Sequence, residues 1–333
     1  MRRSDDALAT IALVSRLCAD GLRPLKAAEF WKLTSQVDEC PGRLLGMNAS
    51  DVAELRGVPM SEAERTVTLL ERSTALAFEL EGLERSGIRT LTQFDEHYPE
   101  RLTDRLGFRA PPLLYAAGAS DLLGVPGLGV VGSRNVGEAG AEVAKEAAKR
   151  AAARELPVVS GGARGVDQLA MDAAFEAGGT VTGVLADSLV RKLRNPAVRA
   201  AIHDERVVLC TPYNPSAGFS AGNAMGRNKL VYALAAVTLV VASELGSGGT
   251  WTGANESLDH RFGHVAVWRG HGEGAGNARL EQAGAAAVAD IADVDALLDE
   301  PIAFPSADIH LDHTEPVATG EQGTLFEALA STD

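Results

Sequence analysis

Aromatic side chains make up only 5% of this 333-residue chain, and it has just three cysteines: Cys18, Cys40 and Cys210. Thiols so few and so far apart, with no C-x-x-C pair, exclude a disulfide framework and a cysteine-based zinc site. They suit small reduced thiols. There is no run of 18 apolar residues, so no membrane span is expected. The first twelve residues are charged and lack the apolar core and small-residue cleavage site of a signal peptide, which points to a cytoplasmic protein. The chain also lacks a G-x-S-x-G elbow and a G-x-x-x-x-G-K-[ST] loop, and of its seven histidines His97, His203, His260 and His264 show no metal spacing with cysteine or carboxylate neighbours. The expectation is therefore no catalytic residue, no metal and no cofactor.

Basic charge is in short supply as well. The 31 Lys and Arg side chains stand against 45 Asp and Glu, a net charge of −14. Residues 1–126 hold 15 basic and 19 acidic side chains, residues 127–300 hold 16 and 20, and residues 301–333 hold none and 6. The tail thus supplies −6, and each of the two preceding stretches only −4. This excludes a broadly basic surface but allows a local basic groove.

What is present divides the chain into four parts. Residues 1–81 have helical periodicity without strand runs, with helices expected over 7–19, 24–34, 49–55 and 61–81; Ser61 and Glu64 form a capping-box pattern for the last. A small all-helical module of the sterile-alpha or helix-hairpin-helix kind fits this stretch. Residues 82–126 read as a proline-containing connector. From Gly127 to residue 300, short β-branched runs alternate with helical stretches. Strands are expected over 128–132, 156–160, 180–185, 206–210, 237–242 and 264–268, which predicts a doubly wound, mostly parallel α/β sheet. Residues 301–333 read as a flexible acidic tail.

Two of the expected strands run into glycine turns that carry an arginine: G-V-V-G-S-R (Gly129–Arg134) and S-G-G-A-R-G-V-D (Ser160–Asp167). A buried parallel strand that ends in small residues at a helix start leaves backbone N–H groups pointing outward, which makes an anion cradle. Arg134 and Arg164 add full charges at the two mouths, and Arg227 and Lys229 in G-R-N-K-L (Gly226–Leu230) add two more. Ser133, Ser160 and the backbone of Gly161 and Gly162 are the expected hydrogen-bond donors to phosphate. Asp167 is expected to cap the helix that follows, with an ion pair to Arg164 as the alternative use of that arginine. Arg191, Lys192, Arg194 and Arg199 form a further basic cluster.

In order along the chain, H-Y-P-E-R-L (His97–Leu102), P-P-L-L-Y-A-A-G, G-V-V-G-S-R, S-G-G-A-R-G-V-D, G-R-N-K-L and G-G-T-W-T-G-A (Gly248–Ala254) resemble the DNA-processing protein A (DprA, or Smf) family over roughly residues 82–285. The resemblance implies an extended Rossmann-like fold, single-stranded DNA binding through Ser133, Arg134, Gly161, Arg164, Arg227, Asn228 and Lys229, homodimerisation, and loading of the RecA recombinase. Two departures mark a divergent branch. Met171 stands where the family has a histidine, and N-A-M-G-R-N (Asn223–Asn228) replaces F-P-x-R-N, leaving Phe219 as the aromatic residue to stack a base.

Two other readings remain open at this stage. Gly246–Glu256 is similar to the glycine-rich loop of nucleotide phosphoribohydrolases of the lysine-decarboxylase-like fold, which would give Thr250 a phosphate and Glu256 a part in N-glycosidic cleavage. A non-catalytic nucleotide sensor in phage defence would use the same pocket. In the tail, Gln322, Leu325 and Phe326 resemble the peptide by which replication proteins dock on the sliding clamp.

Overall fold

The computed structural model describes residues 3–299 apart from residue 19. The N-terminal part is helical: α1 (Asp5–Val14), α2 (Ala27–Ser35), α3 (Ala49–Arg56), α4 (Met60–Glu71) and α5 (Ser73–Arg85). The single helix expected over 61–81 is broken at Arg72. Its buried guanidinium donates to the carbonyls of Ala12 (2.9 Å) and Ser15 (2.6 Å) and reaches Asp20 (3.4 Å). Satisfying the carbonyls at the end of α1 outweighs one continuous helix there. The expected Ser61–Glu64 cap is also absent: α4 starts one residue earlier, behind Pro59, without a side-chain cap. Glu62 instead pairs with buried Arg56 at 2.8 Å.

The remaining elements build one nine-stranded sheet. Its strands are β1 (Arg89–Thr92), β2 (Leu113–Gly118), β3 (Gly127–Val131), β4 (Val158–Ser160), β5 (Val181–Val184), β6 (Val207–Thr211), β7 (Ala235–Val240), β8 (His264–Trp268) and β9 (Ala286–Val288). Their spatial order is β1-β2-β6-β5-β4-β3-β7-β8-β9. The run from β6 to β9 is parallel throughout, and β1 and β2 add an antiparallel edge. This is the expected Rossmann-like α/β fold with its helical N-terminal module, and the six expected strands lie within two residues of the observed ends.

β1, β2 and β9 had no counterpart in the sequence reading, and the first two lie inside residues 82–126. Pro111 and Pro112 precede β2 rather than interrupt it, and the strand is half alanine and glycine, weak strand formers that hid it. The helical part packs onto this edge through side chains: Trp31 Nε1 donates to the Ala110 carbonyl at 2.8 Å, and the Ser15 and Tyr115 hydroxyls lie 3.2 Å apart.

The helices over the sheet include α6 (Glu100–Leu106), α7 (Glu138–Ala153), α8 (Val166–Glu176), α11 (Ala221–Leu234) and α12 (Gly248–His260); α9 (Leu189–Lys192) and α10 (Pro196–His203) lie between α8 and α11 in the chain. From β3 the chain winds outward through β4, β5 and β6, then returns to the other side of β3 as β7. The winding therefore reverses between β3 and β7, and ligands of such sheets bind beyond the carboxyl ends at this point. The Ser133 N–H donates to the Ala242 carbonyl at 2.8 Å, which holds together the two chain segments leaving β3 and β7.

The thiols provide a simple check on the packing. Cys210 on β6 is fully buried, and burial pushes its thiol up to about 12, while Cys40 is exposed. Iodoacetamide at pH 8 should alkylate Cys40 in the native protein. Cys210 should react on the order of 10³-fold more slowly, because so little of it is thiolate, until denaturant is added. Peptide mass spectrometry over time reads both rates, and native labelling of Cys210 at the rate of Cys40 contradicts the placement of β6.

Candidate functional site

The two arginine-bearing turns interlock at the switch point. The Val166 N–H at the start of α8 donates to the Ser133 carbonyl at 3.3 Å, so each turn supports the other. Glycine is required at two places. Gly165 has φ +89°, and a Cβ there would lie 2.4 Å from the Ser133 carbonyl oxygen. Gly161 backs onto the Arg227 guanidinium, where a Cβ would fall 1.2 Å from Nη1. Its bare backbone lets α11 lay that guanidinium across the end of β4.

Arg227 and Asp167 form the buried centre, 5% and 6% exposed. Asp167 Oδ2 accepts from the Gly161 N–H at 3.2 Å and stands 3.9 Å from Arg227 Nη1. Burial pushes the Asp167 carboxyl above the usual carboxylate range; the Arg227 charge and the amides of Ala163, Gly132 and Gly161 act against that push. Burial likewise lowers Arg227, and Asp167 opposes it. At 3.9 Å the pair is loose, and among the described residues Arg227 Nε and the buried Tyr232 hydroxyl have no hydrogen-bond partner. Both side chains line a cavity of about 530 Å³ beyond the strand ends.

The same cavity collects several of the expected residues. Ser133, Arg134, Phe219, Asn228 and Thr250 line it. Arg134 is exposed, and its guanidinium carbon lies 5.4 Å from the centre of the Phe219 ring, itself 55% exposed. Asn228 donates to the Gly249 carbonyl at 3.0 Å and so ties α11 to the first turn of α12. Ser247, which precedes α12, makes no side-chain cap to it, so the amides at that helix start meet no side-chain acceptor from Ser247. Arg164 sits at the rim, exposed, and donates to Asn135 Oδ1 at 2.7 Å; Asn135 lines the cavity.

Other expected residues fall elsewhere. Ser160 is buried and its hydroxyl donates to the Val130 carbonyl at 2.6 Å, so it fixes strands rather than meeting a ligand. Gly162, at φ +65°, shapes its turn over Leu185 and Met171 without lining the cavity. Met171, in the histidine position, is thus an apolar support beneath the turn. Asp167 is not a helix cap: Gly165 occupies that position, and the carboxylate points inward to Arg227 rather than to Arg164. Lys229 points off the other side of α11 into a second cavity. Glu256 is half-buried on α12 and does not line the first cavity. In the further basic cluster, Arg191 and Lys192 face Asp187 at 3.5 and 3.8 Å.

The sequence reading missed Tyr232, Met225 and Glu244, all of which line the cavity. The first has a legible signal, since Tyr232 lies four residues beyond Asn228 on the same helical face. Among the described residues no group of three or more His, Cys, Asp or Glu side chains is arranged to hold a metal ion. The Gln322, Leu325 and Phe326 peptide lies outside the described residues.

Comparison with known proteins gives the site a context. The family model described as DNA recombination-mediator protein A matches residues 89–299. A putative DNA processing protein DprA of Mycobacterium tuberculosis is 31% identical over 249 residues, covering 68% of this chain and 63% of that protein. The chain therefore spans less than two thirds of that relative's length. Among solved structures, DprA of Streptococcus pneumoniae superposes with a TM-score of 0.61 at 22% identity, covering 82% of this chain and 98% of that one. DNA processing protein A of Helicobacter pylori, described for its unique single-stranded DNA binding mode, superposes at 0.51 and 22% identity, covering 63% and 95%.

Proposed function

The chain belongs to the DNA recombination-mediator protein A family, and on that premise we propose that it holds single-stranded DNA by its phosphates at the cavity beyond β3 and β7. The observation that carries this reading is Arg227: a buried guanidinium with a distant counter-ion and, among the described residues, no partner for its Nε, facing a cavity with an exposed arginine at its mouth. A phosphate oxygen entering there meets Arg227 and Arg134; the amides of Gly132, Gly161 and Ala163 are taken up by Asp167, and those of Ser133 and Val166 by backbone carbonyls, so they hold the turns and the carboxylate in place. Phe219 offers an exposed ring on which a base can stack. Binding of this kind is electrostatic and sequence-independent, and it needs no covalent step.

Dimerisation, delivery of the DNA to the RecA recombinase, and action in DNA uptake or recombination within the cytoplasm complete the proposal. They are supported by family membership. The nucleotide-hydrolase alternative is weakened by Glu256, which stands away from the cavity, although Thr250 lines it.

A titration of labelled single-stranded oligonucleotide against salt tests the reading. The plot of log K against log salt should fall with a slope of about −0.7 for each phosphate engaged, and Arg134→Ala should flatten it by about that amount on every sequence alike. No preference for single strands, or an affinity indifferent to salt, overturns the proposal. Tighter binding or cleavage of a mononucleotide than of the oligomer overturns it in favour of a nucleotide site.

A further inference from the structure

Lys229 opens onto a second cavity, of about 490 Å³, between the helical N-terminal part and the antiparallel edge of the sheet. Arg16, Lys26 and Arg109 line it as well, and among the described residues no aspartate or glutamate does. None of these four cations forms an ion pair among the described residues. The nearest acid in sequence, Glu29, is taken up by the Lys26 backbone N–H at 2.7 Å and by Arg65 at 3.1 Å. Arg109 lies over the Phe108 and Phe262 rings, at 4.9 and 6.0 Å from their centres, but neither ring neutralises its charge. Four cations without a counter-ion around one hollow, in a chain of net charge −14, make it favourable for an anion.

The position of this hollow identifies the anion. α11 is the wall between the two cavities: Ala224, Met225 and Asn228 face the first, and Asn223, Gly226 and Lys229 face the second. A helix is about 10 Å across, a gap that a few nucleotides of single strand span. The N-terminal lip of that wall, Phe219–Gly222, is exposed and built of small residues apart from Phe219, so a strand crosses it without meeting bulk. Tyr213 lies just behind it. Its hydroxyl donates to the Asn223 carbonyl at 2.9 Å, leaving a half-buried ring on the wall of the second cavity as a stacking surface.

We propose that the second cavity is a phosphodiester site that takes the onward course of the strand held in the first, carrying it over the start of α11 onto the helical N-terminal part. The proposal rests on the single-stranded DNA reading of the first cavity. It gives the helical part a share in DNA binding, through Arg16 and Lys26, that its overall acidity conceals.

Anisotropy titrations with homothymidine oligomers of roughly 5 and roughly 20 nucleotides, lengths that bracket common single-strand site sizes, test it on the full chain. The double variant R16Q/R109Q should bind the short oligomer within two-fold of the wild type. It should bind the long one at least ten-fold more weakly, with a salt slope flatter by about 1.4, the share of two phosphates. The exposed single change Lys26→Gln, which no buried contact constrains, should shift the long oligomer alone in the same direction. Equal weakening of both lengths, or of neither, overturns the proposal. So does thymidine monophosphate binding to an Arg134→Ala protein that is lost in R16Q/R109Q, which would make the hollow a site for a free nucleotide. If the wild type binds neither oligomer, the reading of the first cavity fails instead, and the two failures are told apart.

Discussion

Arg227→Ala should destabilise the protein by about 3–5 kcal/mol and abolish binding of single-stranded DNA, because it strips the counter-charge from a carboxylate with almost no access to water. Asp167 is already pushed upward by burial, and Arg227 is the principal charge opposing that push. Without the guanidinium the carboxyl rises further. A group whose pKa is higher in the folded than in the unfolded state binds its proton preferentially in the fold. Stability is then lost as pH rises through the folded value and regained as pH falls toward the unfolded one. The deficit of Arg227→Ala should therefore be largest at neutral and alkaline pH and shrink on acidification. Adding Asp167→Asn should recover part of the loss at pH 7 and remove its pH dependence. Urea unfolding of the wild type, both single variants and the double variant between pH 5 and 8 measures this. A deficit that is flat with pH, or additive effects of the two changes, would mean that the pair does not interact. The double variant should remain unable to bind DNA despite its regained stability, which separates the phosphate-binding role of Arg227 from its role in the fold.

The reach of the sequence is clearest at this pair. Arg227 was legible as a basic residue in a motif and Asp167 as the acid ending another, but their burial against each other was not. They are 60 residues apart, and only the packing of α11 beneath the β4 turn joins them. The central strands were legible because short runs of Val and Leu, several of them bounded by glycine, leave little choice. β2 was not, because its alanines carry no strand preference and its place is set by pairing with β6. Lys229 was misplaced for a geometric reason. Residues two apart on a helix point about 200° apart, so Arg227 and Lys229, adjacent in the motif, serve different cavities. Ser160 was misplaced because a hydroxyl at a strand end has a carbonyl of the neighbouring strand within reach, and Val130 claims it.

Gly165→Ala should be a severely damaging single-methyl change, costing about 3 kcal/mol or more. Two costs coincide. At φ +89° and ψ −132° the residue occupies backbone space that a side chain avoids. The added carbon would also stand 2.4 Å from the Ser133 carbonyl oxygen and 2.7 Å from Arg134 Cα, backbone atoms that have no rotamer to yield. Relief requires the β3 turn to move away from the start of α8, which breaks the Val166–Ser133 hydrogen bond and withdraws Arg134 from the cavity mouth. The loss of binding should thus exceed that of Arg134→Ala, because the turns that seat Asp167 against Arg227 shift along with the Arg134 charge. Gly178→Ala is the comparison: it too has positive φ, at +84°, but a Cβ there meets nothing within 4 Å. It should carry the cost of a positive φ without the clash, and keep its DNA affinity. Thermal unfolding and oligonucleotide titration of the two variants side by side measure both effects. Equal affinities would show that the interlock of the two turns has no part in holding the strand.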